Sequence, residues 1–203
     1  MESTDKGWYD RGYLPHFDSS AAIQPVTFRL ADSLPREIEK QLDCKRKALP
    51  DQAQDAERRD RIEGWLDAGH GSCVLADPKV GALVQRAMLH HAGGKYELHA
   101  WCVMPNHVHV LIKPHTSLGN IVKSWKSYTG RWVLGRWDEL SIDDKHDNVP
   151  KQLWQREYWD RYIRDEAHYR AVVEYIHGNP VKAGLCKTEM EWPWSSAARG
   201  CKT

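Results

Sequence analysis

Two alternating apolar runs, KYELHAWCV (Lys95–Val103) and HVHVLIK (His107–Lys113), are separated only by Met104, Pro105 and Asn106. A three-residue break leaves no room for a crossover, so the runs predict an antiparallel hairpin. Alternation along a strand then assigns a face to each residue. Val108, Val110 and Ile112 share one side, and His107 and His109 share the other. Two imidazoles about 7 Å apart along one strand, by the rise per residue, can converge on a single divalent ion. Two half-exposed strand histidines would give the same pattern. The pair alone leaves both readings open.

The segments around the hairpin narrow the fold. VTFRL (Val26–Leu30) has strand composition, and helical signals follow it through a polar region, residues 35–68. ADPKVGALVQRAMLHHAGG predicts a helix capped by Asp77, begun by Pro78 and closed by Gly93-Gly94, with Val80, Leu83, Val84 and Ala87 as its apolar stripe. Beyond the hairpin, Ser117 opens a helix whose apolar positions run Leu118, Ile121, Val122, Trp125, Thr129, Trp132, Val133. LWQREYWDRYI reads as a further strand, and Asp165 begins a last helix that Gly178 and Pro180 stop. The order predicts an α+β chain: a ferredoxin-like split β-α-β-β-α-β antiparallel sheet with helices on one face. An extra helix follows the last strand. One domain should span residues 1–203, with a helical embellishment at about 31–76 and a tail at about 186–203.

Composition excludes some classes. No apolar run approaches the roughly 18 residues of a membrane span, and nothing at the start has a signal-peptide pattern. The five cysteines form no C-x-x-C pair, so neither a disulfide framework nor a zinc knuckle is expected. A reduced, cytoplasmic protein without a membrane partner is the expectation. The net charge of +1 is uneven: 12 Lys+Arg against 15 Asp+Glu in residues 1–80, and 17 against 13 in residues 81–203. A mildly basic second part suits a polyanionic partner, though solvated surfaces often share that balance.

Tyr175 and Asn179 are four residues apart and so stack on one helix face, with Asn179 just before Pro180. An Asn carbonyl is a hard oxygen donor suited to Mg²⁺ or Mn²⁺. Periodicity alone equally allows a boundary aromatic and a helix stop. Tyr128 is the rival tyrosine, on a helix with Lys123, Lys126 and Arg131. Trp125 and Trp132 flank it at helical spacing, which predicts a packing role. WQREYWDRYIRD (Trp154–Asp165) interleaves aromatics with Arg156, Arg161 and Arg164. Aromatic faces stack unpaired bases and guanidinium groups hold phosphates. A strand with aromatics inside and arginines outside would look the same.

MPNHVHVLIKP, the long run LWQREYWDRYIRDEAHYRAVVEYIHGNPVKAGL and the later WPWSS closely resemble the REP-associated tyrosine transposases. These are single-tyrosine members of the HUH endonuclease superfamily. YDRGYLPHFD and TFRLADSLP resemble that family's N-terminal part, so the likeness covers nearly the whole chain. The resemblance implies that His107, His109 and Asn179 bind Mg²⁺ or Mn²⁺ and that Tyr175, on the extra C-terminal catalytic helix, is the nucleophile. It implies cleavage and rejoining of single-stranded DNA carrying REP-type hairpins, through a 5′-phosphotyrosine. Arg156, Arg161, Arg164, Lys123 and Lys126 are the candidate DNA contacts, and a monomer is the expected state, with a dimer as the alternative. Two other functions compete: a domesticated hairpin-binding protein that does not cut, and an unrelated H-x-H metal hydrolase.

Overall fold

The structure is a computed structural model. It describes residues 7–10, 15–35, 37–38, 61–140 and 149–199. Its strands are β1 (Gly7–Asp10), β2 (Pro15–Asp18), β3 (Gln24–Arg29), β4 (Tyr96–Val103), β5 (His107–Pro114) and β6 (Trp159–Asp160). The helices used below are α1 (Pro78–Leu89), α2 (Leu118–Leu134) and α3 (Glu166–Lys182). Residues 61–67 are also helical. Half of the expected embellishment at about 31–76 (residues 36 and 39–60), and residues 200–203 of the tail, lie outside the described residues.

β1 and β2 pair as an antiparallel hairpin, which the sequence pattern did not announce. The main sheet runs β4-β5-β3-β6, with every pairing antiparallel. The first strand of the split unit, β3, thus lies between the third and the last, as the ferredoxin-like arrangement requires. The predicted hairpin is β4–β5, with Cys102 opposite His109 and Val103 opposite Val108.

Alternation divides the sheet into two apolar layers. Val26, Phe28, Trp101, Val108, Val110 and Ile112 pack under α1 and α2, with Val80, Leu83, Val84, Ile121 and Trp125. Ala100, Cys102 and Leu111 point the other way, under Ile176 of α3. α3 therefore covers the histidine face of β5. Burying a side chain such as Ile176 contributes about 1.5–3 kcal/mol, so this seam holds the helix in place.

Three sequence expectations need correction. The strand expected over Leu153–Ile163 shrinks to the two residues of β6 and a bridge from Trp154 to Leu30. The backbone between them turns away from the ladder, because the carbonyls of Gln155, Arg156 and Glu157 all accept from Lys126 Nζ, at 2.9, 3.2 and 3.0 Å. α3 does not stop at Gly178 and Pro180. It continues to Lys182 and ends in a Schellman motif: Leu185 N–H donates to Pro180 O (2.9 Å) and Gly184 N–H to Val181 O (3.0 Å). Gly184 takes the left-handed conformation (φ 71°) that this motif needs. Pro180 therefore sits one turn from the end, where a missing N–H costs a single bond. Tyr128, expected to pack, is 51% exposed on α2.

The tail has a structural task. Val103 N–H donates to Trp194 O (3.0 Å), Ser196 N–H to Trp101 O (3.0 Å), and the Trp192 indole to Val103 O (2.8 Å). It thereby covers the free edge of β4.

Candidate active site

His107 and His109 are 1% and 2% exposed, so they are not half-exposed surface histidines. Their Nε2 atoms face each other at 2.9 Å. Each outer nitrogen has a partner: His107 Nδ1 meets Asn106 Oδ1 at 2.7 Å, and His109 Nδ1 meets Thr27 Oγ1 at 2.9 Å. Thr27 reaches His109 because β3 and β5 pair in the register that sets these two residues opposite each other. The same register puts Arg29 opposite His107, on the same face.

α3 completes the cluster. The Tyr175 ring stands edge-on to His109, with centroids 5.3 Å apart. Because the helix continues past Pro180, Asn179 lies in regular helix one turn beyond Tyr175, and its Nδ2 donates to Tyr175 O at 2.7 Å. Its Oδ1 is buried with no hydrogen-bond partner. The Tyr175 hydroxyl is buried too. It lies near the Glu63 carboxylate and the Asn179 amide, without a well-formed hydrogen bond to either. Lys182, two turns along α3 from Tyr175, pairs with Asp67 at 3.0 Å. Residues 61–67 thus close over the end of the site.

The electrostatics follow from burial. Desolvation holds His107 well below the ordinary imidazole range, and the neighbouring His109 and Lys182 push in the same direction. Desolvation, then Lys182, lowers His109 to about 3. Both imidazoles are therefore neutral at pH 7, the form in which they donate lone pairs. Burial raises the Tyr175 phenol well above its usual value, the Glu63 and Asp67 carboxylates raise it further, and Asn179 opposes them in part. The resting tyrosine is a protonated phenol.

Two neutral imidazoles and an amide oxygen without a partner are the donor types a divalent cation takes. Among the described residues no third His, Cys, Asp or Glu joins the pair, and the Asn179 amide oxygen is a third donor of a fitting type. An acceptor buried without a partner costs about 1–3 kcal/mol, so its retention here fits a bound cation.

The structure thus gathers His107, His109, Tyr175 and Asn179, all singled out in the sequence. It does not gather the cationic residues. Lys123 is exposed on α2, across the sheet from the histidines, and the Lys126 ammonium is committed to three carbonyls. Arg156, Arg161 and Arg164 are exposed on the segments flanking β6. Sequence reasoning missed Thr27, Asn106, Glu63, Asp67 and Lys182. Asn106 was legible from its place beside His107, whereas Thr27 needed the β3–β5 register and the others needed the docking of residues 61–67.

The chain is similar to known transposases. The family model for IS200-like transposases matches residues 85–179, which include all four clustered residues. The REP-associated tyrosine transposase of Escherichia coli K12 is 33% identical over 122 residues, 57% of this chain and 66% of that protein. A putative REP-associated tyrosine transposase of Haemophilus influenzae is 28% identical over 109 residues, 53% of this chain and 62% of that one. The chain thus spans slightly under two thirds of the length of these relatives. The fold matches the structure of a REP-associated tyrosine transposase bound to a REP hairpin, with TM-score 0.56 and 20% identity, over 94% of this chain and 82% of that one. Over residues 85–179 this chain is thus similar in sequence to the IS200-like transposases, and it is similar to the REP-associated tyrosine transposases in sequence and in fold.

Proposed function

We propose that this protein is a metal-dependent endonuclease and strand transferase for single-stranded DNA that carries a REP-type hairpin. The observation that carries this reading is one buried cluster holding a tyrosine hydroxyl, two neutral imidazoles and an amide oxygen without a partner. The solved relative bound to a REP hairpin supports the choice of DNA.

His107, His109 and Asn179 would hold Mg²⁺ or Mn²⁺. When bound, the cation polarises a scissile phosphate and neutralises the charge that develops on it. Tyr175 Oη attacks phosphorus, a P–Oη bond forms, and the P–O3′ bond breaks. The phenol loses its proton and the departing 3′ oxygen gains one, leaving a 3′-OH and a 5′-phosphotyrosine. Attack by a second 3′-OH reverses the step and joins strands without ATP. Packing of α3 on the sheet fixes the Tyr175 ring against His109, so the nucleophile is aligned before DNA arrives. The arginines at 156, 161 and 164 are the proposed phosphate contacts of the hairpin foot, with Lys123 on a separate face. Lys126 serves the loop instead.

A labelled hairpin oligonucleotide with a single-stranded foot tests the proposal. With Mg²⁺ it should yield a covalent adduct that resists denaturing electrophoresis. Tyr175→Phe should abolish the adduct and keep hairpin binding, while exposed Tyr128→Phe should keep both. A shifted band with no adduct would replace the endonuclease by a hairpin-binding protein, and an adduct retained by Tyr175→Phe would remove the nucleophile.

A further inference from the structure

We propose that Asn106 is a positioning residue that locks His107 in a single tautomer, with its Nε2 lone pair turned inward to His109. The inference rests on the metal-dependent reading for its consequence, but the tautomer itself can be measured without metal or DNA.

The side-chain amide of Asn106 is 1% exposed and has all its bonds assigned by its neighbours. Its Nδ2 donates to Leu66 O (3.0 Å) and to His70 O (3.1 Å). Two carbonyls can only accept, so the NH₂ group must face them and Oδ1 must face His107. Oδ1 in turn can only accept, which makes His107 Nδ1 the protonated nitrogen, at 2.7 Å. A neutral imidazole carries one proton, so His107 Nε2 is bare.

His109 is held differently. Its Nδ1 faces Thr27 Oγ1 at 2.9 Å, and a hydroxyl either donates or accepts. A 2.9 Å contact between two imidazole Nε2 atoms needs one hydrogen between them. Because His107 Nε2 is bare, His109 Nε2–H donates to it and the Thr27 hydroxyl donates to His109 Nδ1. Rotation of one hydroxyl would let His109 free its Nε2 as well. One histidine is fixed and the other is convertible.

Asn106 also gives residues 61–70 a part in the site, since both carbonyls that orient it come from that stretch. The partner on the outer nitrogen of a ligating histidine fixes its tautomer and orientation, and removing such a partner typically costs about 10–100-fold in metal affinity.

Nitrogen-15 NMR of the uniformly labelled, EDTA-treated protein reads the tautomers directly. The expected result is Nδ1–H for His107 and Nε2–H for His109; an Nε2–H His107 overturns the proposal without any variant. In Asn106→Ala, His107 should become a tautomer mixture and Mn²⁺ affinity, followed by paramagnetic resonance, should fall about 10–100-fold. Asn106→Asp keeps an acceptor for His107 Nδ1–H but sets its second oxygen against the Leu66 and His70 carbonyls, so it should retain the Nδ1–H tautomer while lowering stability. An Ala variant with unchanged tautomer refutes the role of Asn106. If the unaltered protein binds no Mn²⁺ while the spectrum shows the expected tautomers, the metal-dependent reading fails and the assignment of Asn106 stands.

Discussion

Among the residues of the site, Asn179 shows the conflict between stability and function most directly. Its Oδ1 is buried without a partner, which costs about 1–3 kcal/mol in a fold that binds nothing there. Leu has the same branching and number of heavy atoms and leaves no orphan polar atom. The Asn179→Leu variant should therefore match or exceed the parent in thermal stability, while Mn²⁺ affinity and adduct yield fall at least about tenfold. Calorimetry and the adduct gel together check this. A variant that is less stable yet fully active would mean that Asn179 is packing only. Tyr128 makes the complementary point, because its spacing between Trp125 and Trp132 suggested an aromatic stripe. The helix turns its ring outward instead, to 51% exposure. Spacing of three and four defines neighbours on a helix, but not which side of the neighbours faces the core.

At the scale of elements, the N-terminal hairpin is tied to the sheet by a buried charge cluster. His16 on β2 is fully buried, with Nδ1 2.5 Å from Asp160 Oδ1 and Nε2 3.1 Å from Glu157 Oε2. Asp160 also accepts from Phe17 N–H at 2.7 Å. Burial pulls the imidazole down, and the Asp160 and Glu157 carboxylates outweigh it and raise it above the ordinary 6.5. A raised folded-state value means that the native protein binds the proton more tightly than the unfolded chain. The stabilisation is complete below about pH 6.5 and is lost as pH rises through the higher native value. Hydrogen exchange in β1 and β2 should therefore speed up as pH rises above about 6.5 by more than the intrinsic base-catalysed rate. His16→Gln should remove that excess. An excess that persists in the variant would assign the effect to other groups. His107 and His109 act in the opposite direction, since their lowered values make the unfolded chain the stronger proton acceptor below pH 6.5.

For the whole molecule, the central question is whether one chain suffices. Tyr175 already stands against His109 of its own chain, held by the α3 seam over Ala100, Cys102 and Leu111. No exchange of helices between copies is then required to complete the cluster. Mixing Tyr175→Phe with a His107→Ala, His109→Ala double variant should restore no adduct. Recovery of adduct in the mixture would show that one chain lends its tyrosine to another.

How much of this was legible in the sequence depends on the range over which each feature is decided. The β4–β5 hairpin, the shared face of His107 and His109, the Asp77 cap of α1 and the Asp165 cap of α3 all follow from neighbours a few residues apart. Alternation and helical period carry that information directly. The tyrosine and asparagine of α3 and their shared face could be named, but not that Asn179 lies inside regular helix, because the Schellman motif beyond Pro180 was not anticipated. The length of β6 was decided by the Lys126 ammonium on α2, which draws three carbonyls out of the ladder from about 30 residues away in sequence. The sequence by itself therefore determined the order of elements and which residues could do chemistry. Only the tertiary structure decided that these residues meet, that the histidines are dry and neutral, and that Thr27, Asp67 and Lys182 attend them. Burial and long-range register set hydrogen-bond partners and proton affinities, and neither is a local property of the chain.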